Sequence, residues 1–255
     1  MTFVWIYRNS EIRQVMKLYH HSRRIDFDTK VFWKEREKLL KVAFPLAIRA
    51  THARYDIQFG NIERPITRNT SWEAAKFEVV AHKWADMAET GYGVALMNDC
   101  KYGHDLKNNV MRLTLLKSAN FPDATADYGE HCFTYALYPH ADEWYHGVEQ
   151  EASNLNKPPL VAAGRSIGEA FCFAKVDNPN VAMDAFKKAE DSECLLVRLH
   201  EFAGTRGKIC LELAKHPAKW RCCDLMERTL EDWREGEICL DVHPYEILTI
   251  QIAFG

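Results

Sequence analysis

The sequence predicts an all-β protein, a mainly antiparallel large β-sandwich with one or two short helices. Three observations lead there. Apolar and polar residues alternate with period two in run after run, the pattern of half-buried strands. Gly, Pro, Asn and Asp punctuate those runs where turns are needed. Only one stretch carries a clear helical period. At 255 residues the chain is long enough to bury a sizeable core. One continuous domain over residues 1–255 is expected, incomplete on its N-terminal side.

The elements follow in order. Glu11–Asp28 suits two strands around a polar centre at His20 to Arg24. Nothing before Met1 supplies the first strands of a complete sandwich. The expectation is an open sheet edge, covered by another chain or marking a fragment. Tyr55, Ile57 and Phe59 alternate with Asp56, Gln58 and Gly60. Phe77–Trp84, Gly91–Met97, Val110–Leu116 and Cys132–Tyr138 continue the strand series. Asp142–Asn154 reads as a helix that follows Pro139-His140-Ala141, with Trp144, Val148 and Glu151 on one face. Pro158-Pro159 then breaks it and favours an extended crossover near 154–160. Strands resume at Glu169–Val176, Leu195–Phe202, Lys208–Leu213, Ile238–Val242 and Glu246–Phe254. Cys222–Trp233 suits either a short helix or an irregular crossing.

Composition narrows the function classes. Apolar residues make up 47% and charged residues 27%, the balance of a soluble globular protein. Lys and Arg number 33 against 36 Asp and Glu, a net charge of −3. So mild a balance argues against nucleic acid or an anionic membrane as partner. No basic segment followed by a long apolar one opens the chain, and no uncharged run reaches membrane length. A cytoplasmic location is expected. None of the eight cysteines forms a C-x-x-C pair. Adjacent Cys222 and Cys223 suit neither a zinc knuckle nor an ordinary disulfide. Most cysteines are expected to be small buried hydrophobes in a reducing compartment.

Two polar runs are the candidate sites. Asp127-Tyr128-Gly129-Glu130-His131 packs four polar groups around one Gly. It suits a pocket-lining loop. It also suits an ordinary turn, in which Asp127 bonds its own backbone and Glu130 is solvated. Asn98-Asp99-Cys100-Lys101-Tyr102-Gly103 lies at a strand end, where Lys101 and Tyr102 could meet sugar hydroxyls and an apolar sugar face; a tight turn is the alternative. Trp72, in Asn69-Thr70-Ser71-Trp72, either stacks on a sugar or packs in the core. No carboxylate pair is singled out for glycosidic chemistry. No H-E-x-x-H occurs among the 11 histidines, and no G-x-S-x-G elbow exists. No catalytic residue, metal ligand or cofactor is assigned to this chain.

The runs Tyr55–Pro65, Asn69–Trp72, Asn98–Gly103 and Thr125–His131, followed by Phe133-Thr134-Tyr135-Ala136-Leu137-Tyr138-Pro139-His140, together resemble the C-terminal β-sandwich region of glycoside hydrolase family 38 α-mannosidases, in the bacterial and cytosolic branch. Arg24–Phe27, Lys187–Asp191, Leu196–Glu201 and Pro244–Thr249 extend the likeness. The resemblance implies a galactose-mutarotase-like supersandwich. It implies a retaining exo-α-mannosidase whose aspartate nucleophile and divalent metal, usually zinc, lie in an N-terminal barrel that this chain lacks. The implied partners are α-mannoside oligosaccharides and that barrel, in cis or in trans. The implied pocket-lining residues are Asp99, Lys101, Tyr102, Asp127, Tyr128, Glu130 and His131. Tyr128 departs from the charged or amide residue common in relatives. The alternative is a free-standing carbohydrate-binding sandwich without catalysis.

Overall fold

The computed structural model describes residues 1–141, 143–164, 168 and 170–255. Strands β1 (Thr2–Tyr7), β2 (Ser10–Leu18) and β3 (Ile25–Trp33) open the chain as an antiparallel meander. Next come β4 (Leu39–Pro45), β5 (His52–Ile57), β6 (Gly60–Pro65) and helix α1 (Ser71–Ala75). Strands β7 (Val79–Val80), β8 (Trp84–Glu89), β9 (Tyr92–Asn98), β10 (Gly103–Lys107), β11 (Val110–Lys117) and β12 (Gly129–His140) lead to helix α2 (Val148–Asn156). The rest is β13 (Ala174–Val176), β14 (Val181–Lys188), β15 (Leu195–Glu201), β16 (Gly207–Leu213), β17 (Lys219–Cys223), β18 (Ile238–Val242) and β19 (Ile247–Ala253).

The chain divides into two compact units, residues 1–58 with 62–161, and residues 59–61 with 162–255. In the first, an eight-stranded sheet of order β1-β2-β3-β12-β9-β8-β5-β6 faces a four-stranded sheet β4-β11-β10-β7. Alternation drives this packing. Val31 and Trp33 of β3, Leu96 of β9 and Phe133 and Tyr135 of β12 meet Met111 and Leu113 of β11 in one apolar core. A register shift between Thr114 and Leu116 lets Leu115 and Leu116 both turn inward, as a bulge does. In the second unit, the sheet β14-β15-β19-β17 packs on β13-β16-β18. Val197, Leu199, Ile250, Ile252 and Trp220 there close against Ile209, Leu211 and Ile238.

The all-β, antiparallel expectation holds. Some boundaries differ for physical reasons. The strand expected over Phe77–Trp84 is two strands in different sheets, because the Ala81 and His82 N–H groups donate to the Tyr102 and Asp56 carbonyls as the chain crosses. The expected helix over 142–154 begins only at Val148, after Gly147, whose φ of 124° is outside helical space; Asp142 lies outside the described residues. Glu169, the expected start of a strand, also lies outside them, and β13 begins at Ala174. After Cys223 the chain turns around Asp224, whose carboxylate accepts the Met226 and Arg228 N–H groups. The cysteine expectation fails. Cys100, Cys132 and Cys172 are exposed, Cys223 is buried, and Cys210 and Cys239, directly opposed on β16 and β18, form a disulfide.

Two buried ionisable groups generate predictions. Glu201 is fully buried at the end of β15. Its carboxylate accepts N–H groups from Ala203, Gly204, Thr205 and Tyr245 at 2.8–3.0 Å. Glu201→Ala strands four donors, so it is expected to cost the second unit about 3 kcal/mol or more, read by urea unfolding; an unchanged midpoint would refute this role. His104 of β10 is also fully buried, and burial pushes its pKa down to about 3. Below about pH 6.5 the unfolded chain takes up a proton at this ring that the folded chain refuses. Stability from this source is therefore intact above that pH and lost as pH falls toward 3. His104→Leu should remove this acid sensitivity, worth about 1.4 kcal/mol per pH unit between pH 6 and 4, seen as a shallower fall of unfolding free energy with pH.

Candidate functional site

The two polar runs picked from the sequence are held by local bonds. Asp99, just past β9, accepts the Thr134 N–H at 2.9 Å. The Lys101 N–H donates to the Asn98 side chain at 2.7 Å, and its ammonium sits 4.6 Å above the Phe133 ring. Tyr102 is 53% exposed and meets the His82 ring edge-on at 5.5 Å. Asp127, at φ 62°, accepts the Lys117 N–H at 2.7 Å. The Tyr128 hydroxyl accepts from Arg36 at 3.0 Å. Glu130 pairs with Lys30 at 2.9 Å, and His131 Nε2 lies 2.8 Å from the Asp127 carbonyl. Gly129, Glu130 and His131 are the first residues of β12 rather than part of the turn. The 127–131 side chains thus turn to four different neighbours. Trp72 on α1 is 81% exposed, against the packing alternative. Its helix starts with a capping box in which Thr70 and Glu73 satisfy each other's backbone N–H.

A concave site that the sequence reading missed lies at the other end of the large sheet. A cleft of about 650 Å³ is lined by residues 49–54, Glu63, Asp86, 88–91, Ala141, Glu143 and Trp144. Asp86, one of its lining residues, is half of a buried pair. His140, at the end of β12, places Nε2 2.9 Å from Asp86 Oδ1 on β8. Strand β9 runs between them, and there Gly93 pairs with His140. A Cβ at Gly93 would sit 2.3 Å from the imidazole, so only glycine lets the ring reach across. Burial pushes the Asp86 carboxyl up from its ordinary range, against the pull of His140. On the wall, Arg54 bonds Glu63 at 2.8 Å and lies 5.7 Å from the Trp144 ring centre. Glu89 accepts the Arg49 N–H at 2.6 Å. A glycine inside a strand run signals such a close approach, and Gly91-Tyr92-Gly93 carried that signal.

Among the described residues, no group of three or more His, Cys, Asp or Glu side chains could hold a metal ion. Asp86 and His140 are turned to each other, and a zinc centre does not fit the donors present. No helix among the described residues is long and apolar enough to cross a membrane.

Comparison with known proteins gives a consistent likeness. Residues 1–125 match the family model described as the glycosyl hydrolases family 38 C-terminal domain. Residues 180–250 match that of the glycosyl hydrolases family 38 C-terminal beta sandwich domain. The human protein named alpha-mannosidase 2C1 is 40% identical over 258 residues, covering 96% of this chain and 24% of its own length. A yeast alpha-mannosidase from Saccharomyces cerevisiae is 41% identical, covering 91% and 24%. The chain thus spans about a quarter of the length of these curated relatives. The solved structure of an alpha-mannosidase from Enterococcus faecalis superposes with a TM-score of 0.80 over 96% of this chain and 29% of that one. At 19% identity that likeness concerns the fold.

The Gly93 contact yields a prediction. Gly93→Ala should displace the His140 ring, break its pairing and destabilise the first unit by about 3 kcal/mol. In the double variant Gly93→Ala/His140→Ala the collision with the ring is gone and the 2.8 Å approach to the Ala88 Cβ remains, so its cost should fall short of the sum of the single ones in denaturant unfolding. Additive costs would refute the contact as the cause.

Proposed function

We propose that this chain, which belongs to the C-terminal region of glycosyl hydrolase family 38, completes and stabilises the catalytic barrel of an α-mannosidase and lends walls to its sugar pocket. The observation that carries this reading is the paired family match. Two models of the C-terminal region fall in order along one chain, at 1–125 and 180–250, and relatives about 40% identical continue far beyond it. The reaction of the whole enzyme would be retaining hydrolysis of terminal α-mannosides. Its divalent metal, zinc in this reading, belongs with the barrel, and no step is assigned to it here. The residues of this chain nearest that pocket would be those of the 98–103 and 127–131 runs. Tyr102 suits the task as an exposed ring beside a strand end, able to lie against the apolar face of a sugar. The exposed free thiols at 100, 132 and 172 favour a reducing, cytoplasmic setting, and the Cys210–Cys239 disulfide counts against it.

Release of nitrophenol from an aryl α-mannoside, with zinc or cobalt supplied, tests the proposal. The chain alone is expected to be inactive. Mixed with the barrel fragment of a relative, it is expected to restore metal-dependent release. Tyr102→Ala should then weaken hydrolysis by about tenfold, the loss of one stacking contact of about 1.4 kcal/mol. Activity of the chain alone would overturn the reading, as would an inert mixture of two folded fragments.

A further inference from the structure

We propose that Cys210 and Cys239 form a thiol–disulfide exchange site on the outer face of the second unit, and that its co-reactant is a small cationic thiol. Their sulfurs are joined across β16 and β18, where the two residues stand directly opposite each other. Alternation decides which way the bond faces. Ile209, Leu211, Ile238 and Val242 point into the core, so Cys210 and Cys239 point out. Cys239 is exposed and Cys210 half-buried. Within its sheet β18 is an edge strand, so no further strand of that sheet flanks the Cys239 sulfur. A disulfide placed like this is open to an incoming thiolate. The strand cysteines elsewhere face other residues: Cys132 stands opposite Lys30, Cys222 opposite Ile250 and Cys223 opposite Thr249.

The surroundings select the thiol. A cleft of about 570 Å³ adjoins the bond, lined by both cysteines with Asp177, Glu212, Glu237 and His216 among its walls. Those three carboxylates are exposed, and Asp177 also accepts the Cys210 N–H at 2.8 Å. The ammonium groups on this face, Lys175 and Lys208, stand opposite Glu212 and Asp241 on neighbouring strands, and neither lines the cleft. The cleft is therefore negative, and it gathers cations and repels anions at the sulfurs. Exchange runs in two steps. The incoming thiolate attacks Cys239 Sγ, the more open sulfur; a mixed disulfide forms there and Cys210 leaves as thiolate. A second thiolate attacks the outer sulfur of that mixed disulfide; the small disulfide departs and Cys239 leaves as thiolate. Each protein thiolate takes a proton from solvent, so two small thiols are oxidised and one protein disulfide is reduced. The small disulfide reverses both steps. The loop that the bond closes contains β17, a strand of the facing sheet. Reduction therefore unpins the edge strand β18 and loosens the join between the two sheets of this unit. Disulfides in reducing compartments are usually of this transient kind, and here one open bond sits in a chain with three exposed free thiols.

Alkylation of the full 255-residue chain in denaturant without reductant tests the bond itself. Six of the eight cysteines should react, and the unreacted pair should map to Cys210 and Cys239. The folded chain is then reduced with cysteamine, mercaptoethanol and glutathione, a cationic, a neutral and an anionic thiol, at equal thiolate concentration, and followed by intact mass. Cysteamine should be fastest, about threefold or more above glutathione at low salt, and the gap should close at about 1 M salt. Glu212→Gln/Glu237→Gln, at two exposed positions, should level the three rates. The reduced chain should melt about 5 °C or more below the oxidised one, with amide exchange quickened in β18. Eight reactive cysteines would overturn the proposal, as would a bond that no thiol reaches until urea unfolds the chain. Equal rates for the three thiols, or glutathione in the lead, would overturn the cationic assignment. An unchanged melt after reduction would overturn the unpinning of β18. These readouts need neither a barrel nor a mannoside, so they stand apart from the complementation test.

Discussion

The contact between Asp86 and His140 fixes much of the first unit. His140 is the last residue of β12, so its ring decides where the chain leaves the sheet. Reaching over Gly93 to Asp86 ties β12 to β8 across β9, on the face turned away from the main core. The chain that follows is thereby aimed over that face. Trp144 lands on Trp84 at a ring distance of 5.0 Å, and α2 lies down behind it. Glu149 of α2 accepts the Trp84 indole N–H at 2.9 Å and pairs with Lys83. Asn156, at the helix end, donates to the Asn98 carbonyl at 3.0 Å. A buried polar pair adds little net stability over an apolar one, but it punishes every arrangement that leaves one member unpaired. Here it selects one crossing, and the cleft is what that crossing leaves open.

Much of this was legible in the sequence, and the rest was hidden for identifiable reasons. The strand runs at 110–116, 208–213 and 238–242 read out cleanly, since each has one buried face and period two exposes it, whereas those at 91–97 and 195–202 are buried on both faces and read out as short apolar runs between turn residues. Strand β1 was invisible, because Phe3, Val4, Trp5, Ile6 and Tyr7 are apolar on both faces and show no alternation. Helix α1 was missed although Thr70 and Glu73 spell a capping box, because five residues carry too little periodicity to stand out. The disulfide was missed because cross-strand pairing of Cys210 with Cys239 depends on register, which spacing alone does not reveal. The cleft was missed for the same reason. Arg54, Asp86 and His140 lie far apart in the chain and meet only through the strand order β12-β9-β8-β5. The family resemblance, by contrast, rested on contiguous runs, and these survive without any knowledge of pairing.

Strand direction separates two surfaces within the first unit. β9 ends and β12 begins toward the 98–103 and 127–131 runs, whereas β9 begins and β12 ends at the cleft. The same antiparallel pair therefore carries the proposed pocket wall toward one end and the cleft at the other. A change at Gly93 acts on the cleft through His140, five strand residues from Asn98. The two surfaces are open to separate alteration, as sites grafted on a rigid scaffold usually are.

The carboxylates bear on the proposed supporting role. A glycosidic acid or nucleophile must keep lone pairs aimed at the substrate and a separation matched to the scissile bond. The buried carboxylates here are spent on the fold. Asp26 accepts from Tyr19 and Arg24 at 2.7 Å each. Glu149 is engaged by Trp84 and Lys83. Glu201 closes a turn through four backbone N–H groups. Removing any one to serve a reaction would release donors into the core at a cost comparable to a large share of a domain's stability. Acceptors committed in this way give a rigid scaffold, which is what the proposed role beside a catalytic barrel would require.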